Sequence, residues 1–455
     1  MVLTKEENDL VTRTGPGTPC GKLLRSYWQP AALSEELPEG GPPIPLRLFG
    51  EDLVLFRDEQ GRVGLLDLHC SHRGTDLSYG RLEDGGLRCV YHGWLYDVHG
   101  KCLETPAEPP GSRLRDYVRH TAYPCQEVGG VIFTYMGEGE PPLLPNYEVF
   151  AVPASHRLAT KHFHECNWLQ GLEGSQDATH VRFLHRFLRT EQGERALATH
   201  PKALKPGEDA SFRDPPKNEY YGPVRTEEHD FSVWVWYPNG RGGPEYTFPS
   251  LCLTNGGPQA SGDGYQIYWR VPIDDEHCWL FSLAFKRSGP IPPEHVYQRS
   301  WAMMTPDYHF IRNQRNRYLQ DREEQKTTTF TGMGNVFVVQ DALANETQPA
   351  IQDRTKELLG NADMAIAAWR RMLIRAIRDV EAGGTPPGQI RDPRVNEVDP
   401  IFLRRNAPPT DDELAEVLEI TGGNWVSSMS RGHRPSQGAA QVRELPPTAG
   451  VTTGD

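Results

Sequence analysis

The sequence predicts an α+β protein in which a small all-β module precedes a second domain of antiparallel sheet and one long helix. Short apolar runs separated by turn residues occupy positions 44–137, as in a small β module. Alternating aromatic and β-branched stretches recur between positions 229 and 286, which favours an antiparallel sheet. Apolar side chains at helical spacing over 363–380 predict the long helix.

The first third of the chain carries the signals for an N-terminal arm and for the β module. Thr4, followed three residues later by Glu7, is a capping-box pattern that predicts a short helix. The segments DEQG and DVHG are turn signals between short apolar runs. We therefore predict an arm over 1–22 and the β module over 23–145. The predicted elements are a helix over 4–12, strands over 44–57, 62–68 and 129–137, and a hairpin at 97–102.

The second predicted domain covers residues 146–385. Its long helix should bury one apolar stripe against the sheet, and Gly383 and Gly384 should end it. Prolines recur beyond this point, so residues 386–455 are predicted to form a C-terminal extension with one short helix at 411–419. The predicted strands of the sheet cover 229–238, 265–272 and 277–286.

Composition and charge exclude several classes of function. The net charge of −13 over 455 residues argues against nucleic acid or an anionic membrane as a partner. No apolar run approaches the length of a bilayer span, and the N-terminus MVLTKEENDL lacks the apolar core of a signal peptide. The eight cysteines show no disulfide framework of a secreted protein. A cytoplasmic location is expected.

Two cysteines and two histidines in residues 69–94 form the most specific pattern in the chain. Cys70 and His72 are spaced C-x-H, and after sixteen residues Cys89 and His92 are spaced C-x2-H. Two loops that each give one Cys and one His suit a two-iron cluster with both thiolates on one iron and both imidazoles on the other, which is the Rieske [2Fe–2S] arrangement. A zinc finger would instead place its two cysteines together and its two histidines together.

A second group of possible metal ligands lies in the segment EGSQDATHVRFLH. His180 and His185 are five residues apart, and Asp177 precedes His180 by three residues. Two histidines and one carboxylate form the facial triad of non-haem Fe(II) oxygenases, which leaves coordination positions open. A redox cluster in the same chain needs an electron acceptor, and this strengthens the interpretation of the histidine pair as an iron site.

Together these motifs resemble the oxygenase subunits of Rieske non-haem iron ring-hydroxylating oxygenases. The segments GPGTP, YWQPA, HRGTDLSYGR, LRCVYHGWLYD and NWLQGLEGSQDATH resemble most the phthalate dioxygenase group of that family. The resemblance implies an all-β Rieske domain followed by a helix-grip (START/Bet v1-like) catalytic domain with a long C-terminal helix. It also implies a homotrimer or a hexamer of two such rings.

The resemblance further implies roles for individual residues. His180 and His185 would bind the mononuclear iron, whereas Asp177 would bridge His92 of one subunit to His180 of the next. The third iron ligand would be a later carboxylate, and the segment FVVQDALANETQ places it at Asp341.

Other positions compete for these roles. An apolar strand over 335–339 is expected to carry the third ligand inward, with Asp353 and Asp363 as rival ligands. Glu173 and Asn167 fall where the family has polar residues near iron, and core or capping roles are equally open.

The chain has no glycine-rich dinucleotide fingerprint after a strand, so its electrons must come from outside. The resemblance implies a separate NADH-dependent reductase that carries FMN and a [2Fe–2S] cluster. The favoured reaction is cis-dihydroxylation of an aromatic, carboxylated substrate with O₂. Monooxygenation, such as O-demethylation of a methoxylated aromatic acid, is the alternative, and a Rieske electron carrier without catalytic iron is a remote one.

An anionic substrate would need arginine in the pocket, because a guanidinium binds a carboxylate through two parallel hydrogen bonds. Where the phthalate group tends to have an arginine-bearing strand, this chain reads EYTFPSLCL, a departure that weighs against a phthalate-like substrate. The candidate residues are Arg182, Arg186, Arg189, Arg213 and Arg241.

Overall fold

The protein is described by a computed structural model that covers residues 2–177, 179–198, 224–236, 242–254, 264–292 and 303–396. It is an α+β fold built on antiparallel sheets, as the sequence predicts. The predicted helix at 411–419 and the candidates Arg213 and Arg241 lie outside the described residues.

Two helices form the N-terminal arm. The first begins after Thr4, whose hydroxyl accepts from the Glu7 N–H while the Glu7 carboxylate accepts from the Thr4 N–H, so the capping box is confirmed. The second begins with Pro19 and is capped by Thr18. The helices are α1 (Lys5–Thr12) and α2 (Pro19–Arg25).

The N-terminal module consists of three small antiparallel sheets with strand orders β1-β11-β10, β2-β3-β4-β9 and β5-β6-β7-β8. The DEQG turn joins β3 to β4, and the hairpin predicted at 97–102 joins β7 to β8. The strands are β1 (Trp28–Leu33), β2 (Ile44–Leu48), β3 (Glu51–Arg57), β4 (Val63–Asp67), β5 (Arg81–Glu83), β6 (Gly86–Arg88), β7 (Leu95–Tyr96), β8 (Cys102–Glu104), β9 (Ala122–Tyr123), β10 (Cys125–Val128) and β11 (Val131–Tyr135).

A seven-stranded antiparallel sheet of order β12-β18-β17-β16-β15-β14-β13 forms the second module. All three predicted strands are present, as β14, β17 and β18. The strands are β12 (Arg157–His164), β13 (Arg225–Glu228), β14 (Ser232–Trp236), β15 (Gly242–Thr247), β16 (Leu251–Thr254), β17 (Gln266–Pro272) and β18 (Cys278–Phe285).

The predicted long helix is α9, which buries its apolar stripe against α2, β13 and β14. Two glycines follow its last turn, as expected. The remaining helices are α3 (Leu114–Tyr117), α4 (Glu148–Ala151), α5 (Trp168–Gln176), α6 (Glu191–Ala198), α7 (Glu324–Thr327), α8 (Phe337–Glu346) and α9 (Met364–Glu381).

The strand predicted over 335–339 is wrong, because this segment leads into helix α8. The run Phe337–Val338–Val339 is too short to define a period by itself. The residues that follow are good helix formers, and the buried Val339 and Ala342 lie three positions apart on one helical face.

One hydrophobic core crosses the predicted boundary at residue 145. It contains residues of β1 and β11, of the large sheet, and of α2 and α9. Phe133 of β11 contacts Trp269 of β17 with ring centroids 5.3 Å apart. A smaller core lies beneath the cysteine–histidine loops. In the part of the chain that is described, no helix is long and apolar enough to cross a bilayer.

Candidate metal centres

Two loops of the N-terminal module share one backbone conformation. In the first, the Gly74 N–H donates to the Cys70 carbonyl at 2.8 Å, and in the second the Gly93 N–H donates to the Cys89 carbonyl at 3.0 Å. Both glycines have left-handed backbones, with φ of 72° and 75°. A side chain would be strained at either position, so the glycines let each loop turn tightly behind its cysteine.

The four predicted cluster residues meet at the tips of these loops. Cys70 and Cys89 are each 3% exposed, whereas His72 is exposed and His92 half-buried. The two imidazole rings lie 4.4 Å apart between centroids, and His72 stacks on the buried Trp94 at 4.6 Å. The thiols therefore point into the protein and the imidazoles toward its surface.

The surroundings of the thiols suit a bound metal cluster. The Tyr96 hydroxyl lies 3.2 Å from Cys70 Sγ. Burial raises the pKa of the Cys70 thiol, so an additional positive charge is needed to hold it as a thiolate. A metal centre provides that charge, because coordinated thiols are deprotonated.

The second group brings together three residues from two parts of the chain. His180 begins a short 3₁₀ turn after α5, His185 follows five residues later, and Asp341 lies on α8. Asp341 Oδ1 is 3.6 Å from His180 Nε2 and 3.1 Å from His185 Nε2. One donor atom from each of the three residues lies within 4.8 Å of the others, as a shared metal ion requires.

Hydrogen bonds behind the two imidazoles fix their orientation. His180 Nδ1 lies 2.7 Å from the Asp177 carbonyl, and His185 Nδ1 lies 2.7 Å from Gln340 Oε1. Gln340 is held in turn, because its Nε2 donates to the Gly334 carbonyl at 2.7 Å. These bonds place the proton on Nδ1 of each ring and leave Nε2 free to bind a metal.

The charges of the site also suit a divalent metal. Partial burial opposes ionisation of Asp341, but the neighbouring His185 and His180 lower its pKa to about 2. Burial lowers the pKa of His180, which keeps that imidazole neutral at pH 7. The site therefore offers one carboxylate, one neutral imidazole from His180 and the Nε2 atom of His185.

Comparisons with known proteins agree with both centres. Residues 27–125 match the family described as the Rieske [2Fe–2S] domain, and residues 260–400 match the family described as LigXa C-terminal domain like. The chain is 34% identical over 432 residues to the 5,5'-dehydrodivanillate O-demethylase oxygenase subunit of a Sphingobium species, covering 92% of this chain and 91% of the relative. This chain is a Rieske non-haem iron oxygenase.

Two further similarities agree with this family and with its fold. It is 34% identical over 412 residues to the phthalate 4,5-dioxygenase oxygenase subunit of Pseudomonas putida, covering 85% of this chain and 89% of the relative. Its fold is similar to the terminal oxygenase of carbazole 1,9a-dioxygenase from Novosphingobium, with a TM-score of 0.53, 21% identity, and coverage of 82% of this chain and 98% of that one. The protein is an oxidoreductase with a Rieske [2Fe–2S] cluster and a mononuclear iron.

In a single chain of the Rieske oxygenase, Asp177 caps the turn that carries His180. Its Oδ1 accepts hydrogen bonds from the Thr179 N–H at 2.7 Å and from the His180 N–H at 3.2 Å. The backbone carbonyl of Asp177, and not its carboxylate, contacts the His180 ring. The bridge from Asp177 to a neighbouring subunit stays a prediction.

The two rival iron ligands, Asp353 and Asp363, contact residues other than the histidine pair. Asp353 pairs with Lys356 at 2.7 Å near the surface, and Asp363 accepts from the Gly360 N–H at 2.6 Å. Among the described residues, neither aspartate joins the histidine pair. The geometry favours Asp341 as the third ligand.

Glu173 and Asn167 have structural contacts rather than contacts with the iron site. Glu173 forms buried ion pairs with Arg354 at 2.8 Å and Arg370 at 2.6 Å. Asn167 caps α5 by accepting from the Leu169 N–H. Core and capping are therefore the roles that the structure supports.

Among the candidate arginines near the iron site, Arg186 packs against two aromatic rings. The guanidinium of Arg186 lies over the rings of Phe183 and Phe330, at 5.4 Å and 4.3 Å from their centroids. Arg182 and Arg189 also lie on the segment that follows His180.

Proposed function

We propose that this Rieske oxygenase cis-dihydroxylates an aromatic, carboxylated substrate, using O₂ and electrons that a separate reductase takes from NADH. The observation that carries the proposal is the site formed by His180, His185 and Asp341. Two imidazoles and one carboxylate bind Fe(II) on one face and leave positions for O₂ beside a substrate. In this proposal the ligands of the [2Fe–2S] cluster are Cys70, His72, Cys89 and His92.

The iron, the cluster and Asp177 each have one role in the proposed reaction. When bound, the iron activates O₂ and the cluster supplies electrons one at a time. Asp177 bridges His92 of one subunit to His180 of the next: its backbone carbonyl accepts from the His180 ring N–H, and its carboxylate is available to the imidazole N–H of the neighbouring His92. Its Oδ2 makes no hydrogen bond within the part of the chain that is described, and Oδ1 holds the local turn.

Exposed apolar side chains beside each centre support a head-to-tail assembly. We define the cluster patch as Val90 and Tyr91, and the iron patch as Phe183 and Phe330; all four side chains are exposed. Apolar side chains that are exposed beside a metal centre would be covered by a neighbouring subunit in the proposed assembly. Because the patches differ, contact between them would be heterologous, and a heterologous contact forms a ring when its rotation closes, as in the proposed homotrimer or hexamer of two rings.

The proposed domains of the chain correspond to these roles. The Rieske domain covers 23–145, the catalytic domain 146–385 and the C-terminal extension 386–455, with an arm over 1–22. The eight cysteines are free where the structure describes them, which fits a reducing cytoplasm supplied with NADH. A role in the breakdown of aromatic compounds follows from the proposed substrate.

A second candidate reaction is O-demethylation of a methoxylated aromatic acid. It is favoured by the similarity over most of the chain to an O-demethylase oxygenase subunit. The phthalate 4,5-dioxygenase relative favours dihydroxylation at the same identity of 34%. Both relatives are named for aromatic carboxylates, so the substrate class is common to the two candidates.

Product analysis separates the candidates. The purified protein, an FMN and [2Fe–2S] reductase and NADH are incubated with benzoate, phthalate and methoxybenzoates while O₂ uptake is recorded. A diol that carries both atoms of labelled O₂ supports dihydroxylation, whereas formaldehyde indicates demethylation. O₂ uptake that is coupled to neither product would refute the proposal.

Iron analysis tests the remote alternative, an electron carrier. A carrier holds only the irons of its cluster, whereas the oxygenase holds one more per chain. Loss of that additional iron in Asp341→Ala, with retention in Asp353→Ala, is expected.

A further inference from the structure

A buried guanidinium lies beneath helix α5 and forms no direct ion pair with a carboxylate among the described residues, although its charge reaches Asp341 and helps to lower the pKa of that carboxyl group. Arg270 on β17 is only 3% exposed. Its Nε and Nη1 are buried and have no hydrogen-bond acceptor among the described residues. Bulk water therefore does not solvate this cation, whereas the candidate Arg189 is exposed to solvent.

The placement of Arg270 puts it on the interior face of the large sheet. Arg270 pairs with Leu280, and two positions along β18 Cys278 pairs with His164, so these side chains share one face. Helix α5 covers that face, since a Cβ added at Gly171 would lie 2.8 Å from Arg270 Nη1. The same helix leads directly to Asp177 and the iron site.

Other buried arginines in this protein have partners. Arg354 and Arg370, which are 0% and 1% exposed, both pair with the carboxylate of Glu173. The buried arginines that have only a structural role are therefore paired with a carboxylate. An unpaired buried cation is strongly unfavourable, and its retention next to an active site points to an anion that arrives from outside.

We propose that Arg270 is the specificity-determining residue that receives the carboxylate of the substrate. This inference rests on the proposed function and assigns the anion site of the same pocket. A guanidinium presents two parallel N–H groups that match the two oxygens of a carboxylate. The segment EYTFPSLCL runs from β15 into β16 and contains no arginine. In this proposal Arg270, on the adjacent strand β17, takes the role that an arginine in that segment would have.

The protein contains one internal rival for this role. A hydrogen bond from Cys166 lowers the pKa of Cys278 despite its burial, and the charge and side-chain contact of Arg270 add to this, so a Cys278 thiolate is the rival counter-ion. In that case Cys278→Ala would leave the Arg270 guanidinium without its counter-ion and would alter the affinity for an added anion. In the proposal, Cys278→Ala leaves the affinity for benzoate unchanged.

Calorimetric binding of two probes tests the assignment. Benzoate and benzamide are titrated into the intact oxygenase and into Arg270→Met, Arg270→Lys and Cys278→Ala. The wild type should prefer benzoate, and Arg270→Met should bind benzoate about 10- to 100-fold more weakly with benzamide unchanged. Arg270→Lys should lie between them, because lysine keeps the charge without the planar fork.

Thermal unfolding separates a substrate role from a structural one. Arg370→Met breaks a buried ion pair and should lower the melting temperature, whereas Arg270→Met should leave it unchanged or raise it. A preference for benzoate that survives in Arg270→Met, or a wild type that binds benzoate, phthalate and methoxybenzoates no better than benzamide, would overturn the inference. The proposed function has a separate readout, since a diol formed from an aromatic carboxylate with coupled O₂ uptake would preserve it even if Arg270→Met kept the preference for benzoate.

Discussion

At the scale of single residues, the iron site depends on groups that never touch the metal. The ring of His185 is held by Gln340, a contact between residues 155 positions apart in the chain. Its ring also stacks on Phe337 at 4.3 Å, on the first turn of the same helix α8. One helix thus supplies a ligand, Asp341, and both groups that orient another ligand.

Gln340→Leu should weaken iron binding, because His185 would lose the acceptor that fixes its tautomer. Loss of such a partner lowers metal affinity by about 10- to 100-fold. Chelator competition measures this loss, with the absorbance of the cluster as an internal reference. Gln340→Glu keeps an acceptor and should retain iron, and wild-type affinity in Gln340→Leu would show that the bond is dispensable.

Asp177→Asn should slow electron delivery while both centres stay loaded. The amide Oδ1 of asparagine can still cap the turn that carries His180, so only the negative charge is removed. We expect reoxidation of the pre-reduced cluster by O₂ and substrate to slow by about 10- to 100-fold. Stopped-flow absorbance follows that step. Wild-type turnover in this variant would restrict Asp177 to its capping role, whereas Asp177→Ala loses both roles.

The site residues that could be predicted from the sequence are those whose partners lie close to them in the chain. Cys70, His72, Cys89 and His92 form a short pattern, and their chemistry follows from residue type and interval. Gln340 and Arg270 could not be found in this way, because their roles come from contacts between distant segments. Polar residues inside an apolar run, such as Arg270 in YQIYWRVP, were the only signal available.

At the scale of elements, the iron site is set by how closely α5 and α8 approach. A Cβ at Gly174 would lie 2.4 Å from Asn345 Oδ1, so the glycine leaves room for the Asn345 side chain at this contact. Asn345 in turn donates from Nδ2 to the Asp341 carbonyl at 2.8 Å. The sequence predicted Asp341 but assigned a strand before it, since the contact that holds α8 is not visible in its pattern.

Gly174→Ala should therefore displace the Asn345 side chain and shift the backbone of Asp341, whose carbonyl that side chain holds. Overpacking of this kind costs about 1–3 kcal/mol of stability. Iron affinity should fall with it, because Asp341 moves while His180 and His185 stay on their own segment. Melting temperature and chelator competition report the two effects. Ser175→Ala on the same helix is the control, and equal behaviour of both variants would contradict this role of the contact.

The ion pairs of Glu173 join α5 to α9 and to the segment before it. These charges lower the pKa of Glu173 despite its burial. A carboxylate with a lowered folded-state pKa stabilises the protein above its unfolded pKa of about 4.3, and this stability is lost as the pH falls through the folded value.

Glu173→Gln should lower the stability at pH 7 by about 3–5 kcal/mol, because the buried Arg354 loses its charged partner and Arg370 keeps only Glu357. The difference from the wild type should shrink as the pH falls below about 4.3. Denaturant unfolding at several pH values measures the difference. Exposed Glu276→Gln should show no such change, and a pH-independent loss in Glu173→Gln would exclude the linkage.

At the scale of the whole molecule, the two metal centres occupy separate parts of one chain. The fold class, the long helix and the strands of the large sheet could be predicted because their apolar periods are regular. The continuous core between the modules could not, since it depends on pairs such as Phe133 and Trp269 that no local pattern joins. The assembly likewise depends on surfaces, namely the cluster patch and the iron patch, that matter only between chains.

Mixed oligomers test whether electrons cross a subunit boundary. One chain carries His72→Ala and lacks a working cluster, and the other carries Asp341→Ala and lacks the mononuclear iron. Each variant alone should be inactive. In a mixed ring of three, one boundary still joins an intact cluster to an intact iron site on the neighbouring chain, so about a third of the wild-type rate should return. Two affinity tags isolate the mixed rings, and coupled O₂ uptake measures the rate. If electrons travelled within one chain, every ring of this kind would be inactive, because no single subunit retains both centres.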